Sequence, residues 1–363
     1  MSAIPLDLIV EILCQLPVKS LLRFRCLSKE FRSMIDDPNF IRRHHNACLE
    51  TNSNRRIIAQ SNEGFTLFSL DVDSADNAVA AAKLPDIPIQ NWWYGFTIIG
   101  SCHGLLALST HDRQGHVTAV LWNISTNKLR ILPRIHGDSV YFCGCFGFGY
   151  DVASDDYKLV RIFGNQSFTK VIVYSLRANS WRWIEDLPDY YSFYPFHQDS
   201  GTLVAGTLNW MEPIKNREST DLIISFNLKS EKFSKLSVPG RTTTNVGEWD
   251  KTVNVLGGCL CLSRNHHSEK FFDIWVMKEY GMRDNWTKLF SFSYLSIKFE
   301  IHRLRIVRSL IYSKTGEKVF ILLNDRKVIR HDLKKEKDEI VRVRKWPIYI
   351  YRATISVDSL VSV

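Results

Sequence analysis

Polar and apolar residues change their spacing once along this chain, near residue 48. Between Leu6 and Leu16 the only polar residues are Asp7, Glu11 and Gln15, four apart. That spacing makes one narrow polar stripe on a helix. Leu6, Leu8, Ile9, Val10, Ile12, Leu13, Cys14 and Leu16 cover the rest of its circumference, more than a surface helix normally carries. Pro5 suits a first helical turn, Asp7 sits at the favourable end of the helix dipole, and Pro17 bounds the segment. A second helix is predicted from Leu21, Phe24, Leu27, Phe31 and Met34, ending near Ile35; Arg23, Lys29, Glu30, Arg32 and Ser33 lie on its other side. Asp37-Pro38 predicts the start of a third short helix, from Asn39 to about Asn46. Three short helices enclose a very small core. They hide one side of the first helix, and the other side needs a partner or the adjoining domain to cover it.

From Asn46 to Arg56 the chain is polar and reads as a linker. Beyond it, short alternating runs are broken by Gly, Asn, Asp and Ser, the pattern of strands. Six runs share one form, an apolar strand and then a polar turn: Leu67–Asp71, Leu121–Ser125, Val173–Arg177, Ser225–Lys229, Ile274–Lys278 and Arg330–Lys334. They recur at about 50 residues. Between them come strands led by glycine, at Gly104, Gly206 and Gly257-Gly258. About four strands per repeat is the signature of propeller blades, which stack because none buries both faces alone. A last strand near Ala353 to Val361 is expected to pair with the first near Arg56 to Gln60, closing the ring. The expected fold is therefore α+β and multidomain: a three-helix unit at 1–48, a linker at 49–56, and a kelch-like β-propeller of about six blades at 57–363.

Composition alters this picture little. Of 363 residues, 45% are hydrophobic and 23% charged, as in ordinary globular proteins, and the 12% aromatic content favours β-structure. The net charge of +9 favours acidic partners, but both signs are spread along the chain and no nucleic-acid footprint is implied. No apolar run approaches the ~20 residues of a membrane span, and Met-Ser-Ala-Ile-Pro-Leu-Asp has no secretory pattern. Eight cysteines then read as reduced thiols of cytoplasm or nucleus, and the sequons at Asn123, Asn165 and Asn285 as chance matches.

Candidate chemistry is sparse. Cys143/Cys145 and Cys259/Cys261 lack zinc-site spacing, even with His103, His266 and His267 in the chain, and read as buried thiols. Gly144-x-x-Gly147-x-Gly149 does not open a helix, as a phosphate loop would. No nucleophile elbow, Walker loop or His-Glu-x-x-His occurs, so no enzyme, cofactor, metal or small-molecule ligand is expected. Two aromatic stretches, Trp92-Trp93-Tyr94 and Tyr190-Tyr191 with Phe193-Tyr194, are candidate contacts for a protein substrate.

The string from Ile4 to about His44 resembles an F-box of the plant type nearly residue for residue; Ile4, Leu27 and Phe31 stand where Leu, Val and Trp are usual. Gly147-Phe148-Gly149-Tyr150-Asp151, Asn179-Ser180-Trp181, Gly206-Thr207-Leu208-Asn209-Trp210, and Asp273 to Gly281 leading to Trp286-Thr287-Lys288 resemble the plant F-box-associated propeller. The whole chain looks like the group that holds the constitutive expresser of PR genes and the pollen S-locus F-box proteins. That resemblance implies a substrate adaptor of a cullin-based ubiquitin ligase, a non-catalytic subunit active in plant defence or general turnover. It implies docking to a Skp-family linker protein through Ile4, Pro5, Leu8, Ile12, Leu13, Leu16, Pro17 and Leu21. Two other readings remain open on the residues alone: a propeller scaffold whose helices merely pack on the blades, and a kelch-type oxidoreductase.

Overall fold

The computed structural model describes residues 5–61, 66–72, 79–87, 95–135, 143–164, 169–184, 200–211, 222–239, 251–266, 268–282, 285–293, 306–323, 327–347 and 349–363. Four helices come first: α1 (Leu6–Cys14), α2 (Val18–Phe24), α3 (Lys29–Ile35) and α4 (Pro38–Glu50). The periodicity predicts three. Its second helix is in fact α2 and α3, divided at Ser28, whose extended backbone lets Oγ accept the Phe31 N–H at 3.2 Å and start a new helix. Both pieces turn apolar residues to one core, so the spacing runs through the break unmarked.

α4 begins where Asp37-Pro38 predicts. Asp37 Oδ1 accepts the N–H groups of Asn39 at 2.8 Å and Phe40 at 3.1 Å. It runs on to Glu50, however, and the first strand starts at Arg55. Asn52 and Asn54 make the intervening turn at positive φ. The polar stretch expected as a linker is thus divided among a helix end, a tight turn and a strand start. Leu13, Cys14, Val18, Leu21, Ile35 and Phe40 form the helical core. A ring nitrogen of His44 lies 2.9 Å from the Leu16 carbonyl and braces α4 against the end of α1.

Six four-stranded antiparallel sheets surround an axis. Blade 2 shows the plan, with Phe96–Cys102 innermost, then Leu105–His111, Val117–Asn123 and Lys128–Ile131. The inner strands of blades 3 to 6 are Cys143–Asp151, Thr202–Val204, Lys251–Leu256 and Val307–Tyr312. Blade 1 is completed from both ends of the propeller: Ile350–Val357 lies innermost, beside Arg55–Ser61, with Arg55 opposite Val357 and Ile57 opposite Ile355. The two ends pair as expected and remove the free edge of an open ring, but the closing strand starts at Ile350 and stops at Val357, short of the expected Val361.

All six repeated runs of the sequence fall on third strands, and the three glycine-led runs on second strands. The repeat has a physical basis. Asn123 Oδ1 accepts the N–H groups of Ser125 and Thr126, at 2.9 and 3.1 Å. Asn227 does the same with Lys229 and Ser230, and Asp332 with Lys334 and Lys335. A short polar side chain at the strand's end therefore folds the next turn. Tryptophans of outer strands clasp the preceding blade: Trp181 Nε1 donates to the Pro133 carbonyl at 2.8 Å and Trp286 Nε1 to that of Ser237 at 3.0 Å. Buried Lys158 in blade 3 donates to Asp151 Oδ2 at 2.9 Å, and reaches the Leu228 carbonyl and Glu231 Oε1 of blade 4 at 2.7 and 3.0 Å.

Candidate partner-docking surfaces

α1 is buried on one side only. Leu13 and Cys14 turn into the helical core, and Ile9 and Val10 are half-buried against it. Leu6, Leu8 and Ile12 stay outside, 63%, 49% and 56% exposed. Leu8 and Ile12 are one turn apart on one face. The blades do not enclose this helix, because the helical unit meets the propeller through α4: His45 packs edge-to-face on His103 of blade 2, with ring centres 4.7 Å apart. Covering an exposed Leu or Ile contributes roughly 1.5–3 kcal/mol. The open face of α1 therefore carries enough apolar surface to favour association with an apolar partner. Leu27, 67% exposed after α2, adds a further apolar side chain outside the core.

The inner strands run toward the helices. Cys102, Asp151 and Val357 end at that pole, and Phe96, Gly144 and Ile350 lie near the other. At the far pole a cavity of about 290 Å³ is lined by Phe96, Ile98, Phe146, Arg161, Ser200 and Tyr351, among others. The Arg161 guanidinium lies over the Phe146 ring, 4.6 Å from its centre. The Ser200 hydroxyl donates to the Ile98 carbonyl at 2.9 Å, stitching blade 4's approach to blade 2. Thr97, Ser109, Thr110, Ser200 and Tyr351 bring hydroxyls to this lining, and the described lining residues include no carboxylate.

Two family models match. The F-box domain matches residues 1–43, and the F-box associated beta propeller domain matches residues 56–363. The chain belongs to the F-box proteins with an associated β-propeller. F-box protein CPR1 of Arabidopsis thaliana is 31% identical over 385 residues, covering 99% of this chain and 89% of that one. Another Arabidopsis F-box protein is 30% identical over 356 residues, covering 90% and 82%. Among solved structures, TolB from Acinetobacter baumannii matches with a TM-score of 0.50 at 10% identity, over 84% of this chain and 67% of that one, a likeness of fold alone.

Within the F-box, the residues proposed from sequence divide by role. Pro5, Leu8, Ile12 and Pro17 are exposed, and Leu16 is half-buried. Leu13 and Leu21 are buried, so they support the unit from inside instead of offering a surface. Ile4 lies outside the described residues. Leu6, not singled out from sequence for docking, is the most exposed of the large apolar side chains of α1; its signal was present in the surplus of apolar residues around the helix. Trp92, Trp93, Tyr94, Tyr190, Tyr191, Phe193 and Tyr194 all lie outside the described residues. In the chain they shortly precede Gly95 and Ser200, which line the far cavity.

The glycine triplet sits in the inner strand of blade 3. A Cβ at Gly147 would fall 2.6 Å from Leu208 Cδ1 and 2.8 Å from Trp210 Cζ2, so the glycine permits blade 4 to pack closely. Cys145 and Cys261 are buried free thiols, and burial pushes both well above the ordinary thiol range. Among the described residues, no three His, Cys, Asp or Glu side chains are grouped to hold a metal ion, and no helix is long and apolar enough to cross a membrane.

Proposed function

We propose that this protein is the substrate-recognition subunit of a cullin-type ubiquitin ligase, acting in the cytoplasm or nucleus. α1 docks to a Skp-family linker protein, and the propeller holds a target protein at the pole away from the F-box. The transfer chemistry resides in other subunits, and this chain contributes proximity and orientation. F-box proteins are generally non-catalytic adaptors, and an F-box implies a Skp-family partner. The observation that carries the reading is the uncovered apolar face of α1, on a unit whose opposite side is already fixed to the propeller. A scaffold with helices merely packed on its blades would bury that face.

The target's chemistry follows from charge. A chain at +9 attracts acidic proteins and repels basic ones at long range. That disfavours the basic ribonucleases recognised by S-locus relatives and favours a role in plant defence or general turnover. The test replaces Leu8 or Ile12 by Arg in the full chain. Both side chains are exposed, so the fold should survive. Linker-protein affinity should fall at least tenfold, since a desolvated charge costs well over 1.4 kcal/mol. Unchanged co-purification of a Skp-family protein with Ile12→Arg sinks the proposal.

A further inference from the structure

The segment after the ring-closing strand, 358–363, threads between propeller and F-box. The Asp358 N–H donates to the Asn54 carbonyl at 2.9 Å, and its carboxylate pairs with Arg56 at 2.6 Å. Ser125 Oγ donates to the same carboxylate at 3.0 Å. Ser359 Oγ donates to the His103 carbonyl at 2.6 Å. Leu360, 8% exposed, joins Leu13, Val18, Leu21, Ile35 and Phe40 in the helical core. Val361 and Val363 instead pack on the core shared by blades 2 and 3. Side chains thus alternate between the two units, as successive residues of an extended segment do.

Blade 2 is adapted to hold this strap. Asn123 is fully buried, and its Nδ2 donates to the carbonyls of Ser359 at 3.1 Å and Val361 at 2.7 Å. Its counterpart in blade 4, Asn227, makes the same turn but spends Nδ2 on Thr207 of its own blade. At Gly104, with φ +77°, a Cβ would stand 2.4 Å from Ser359 Oγ. Only glycine lets this hairpin approach the strap at that backbone angle.

We propose that the strap couples ring closure to the F-box: Leu360 completes the helical core, and Leu360 and Asn123 are positioning residues that set the propeller against α1. The strand Ile350–Val357 closes the ring, and Leu360 follows three residues later. Leu360 therefore reaches its seat only when that strand is paired. A helical unit this small depends on each core side chain. In consequence the docking face of α1 is well formed only on a closed propeller, and a bound target is held at a fixed bearing. This last consequence rests on the adaptor reading; the coupling itself does not.

The experiment compares full-length protein with Leu360→Ala, Leu360→Met and Asn123→Ala. Amide hydrogen exchange is followed in α1–α4 and in blade 5, alongside affinity for a purified Skp-family protein. Leu360→Ala and Asn123→Ala should speed exchange across α1–α4 by about tenfold, with blade 5 unchanged, and Leu360→Met should restore protection. Linker-protein affinity should fall and recover in step. Wild-type exchange in α1–α4 for both alanine variants overturns the coupling. If the wild-type chain binds no Skp-family protein while exchange responds as described, the coupling stands and the adaptor reading falls.

Discussion

His45 shows how one residue acquires a property from its surroundings. It is buried, and neither ring nitrogen has a hydrogen-bond partner among the described residues. Burial, then the nearby His103 and His44, push its pKa down to about 4. His103 is itself lowered by burial, and its Nδ1 meets the Tyr157 hydroxyl at 3.1 Å. Tyr150 packs on the same ring. The folded value lies below the ordinary value near 6.5, so on acidification the unfolded chain takes up a proton first. Stability from this group is present above about pH 6.5 and is lost progressively toward pH 4. Wild-type protein should lose about 2 kcal/mol more than His45→Phe between pH 7.5 and 5, read from urea midpoints at each pH. Parallel pH profiles for the two proteins contradict this assignment.

At the scale of elements, much of the architecture was legible. Third strands ending in Asn or Asp repeat because the side chain itself folds the following turn, as at Asn123, Asn227 and Asp332. The division of α2 from α3 was not legible, because Ser28 caps a helix inside an unbroken apolar spacing. The spacing of Gly144, Gly147 and Gly149 says only that no helix opens there, and it does not show that Gly147 is a contact between blades. Gly147→Val should force the Leu208 and Trp210 side chains away and cost about 1–3 kcal/mol in denaturant unfolding, with overpacking as the cause. A valine tolerated without loss would show that blades 3 and 4 are looser than these distances describe.

For the whole molecule, closure is the controlling event. Ile350 is fully buried at the start of the closing strand, in a cluster that joins blades 6 and 1. Ile350→Asp should lower stability by about 3 kcal/mol or more through a buried charge. The loss should appear as one transition in probes placed in any blade, since inner strands contact their neighbours all the way round. A transition confined to blades 6 and 1 contradicts a cooperative ring.

Residue types and spacing by themselves determined the greasy first helix, the strand alternation and the repeat near 50 residues. These are local or periodic properties, set by side-chain polarity and backbone preference within a few residues. Which apolar residues of α1 face outward was decided only in three dimensions: Leu13 is covered by the helical core, while Leu8 and Ile12 are left open. The seat of Leu360 in a core more than 300 residues earlier was likewise invisible, because nothing in a short apolar segment names the distant surface it will meet. Long-range packing, not local preference, makes that choice.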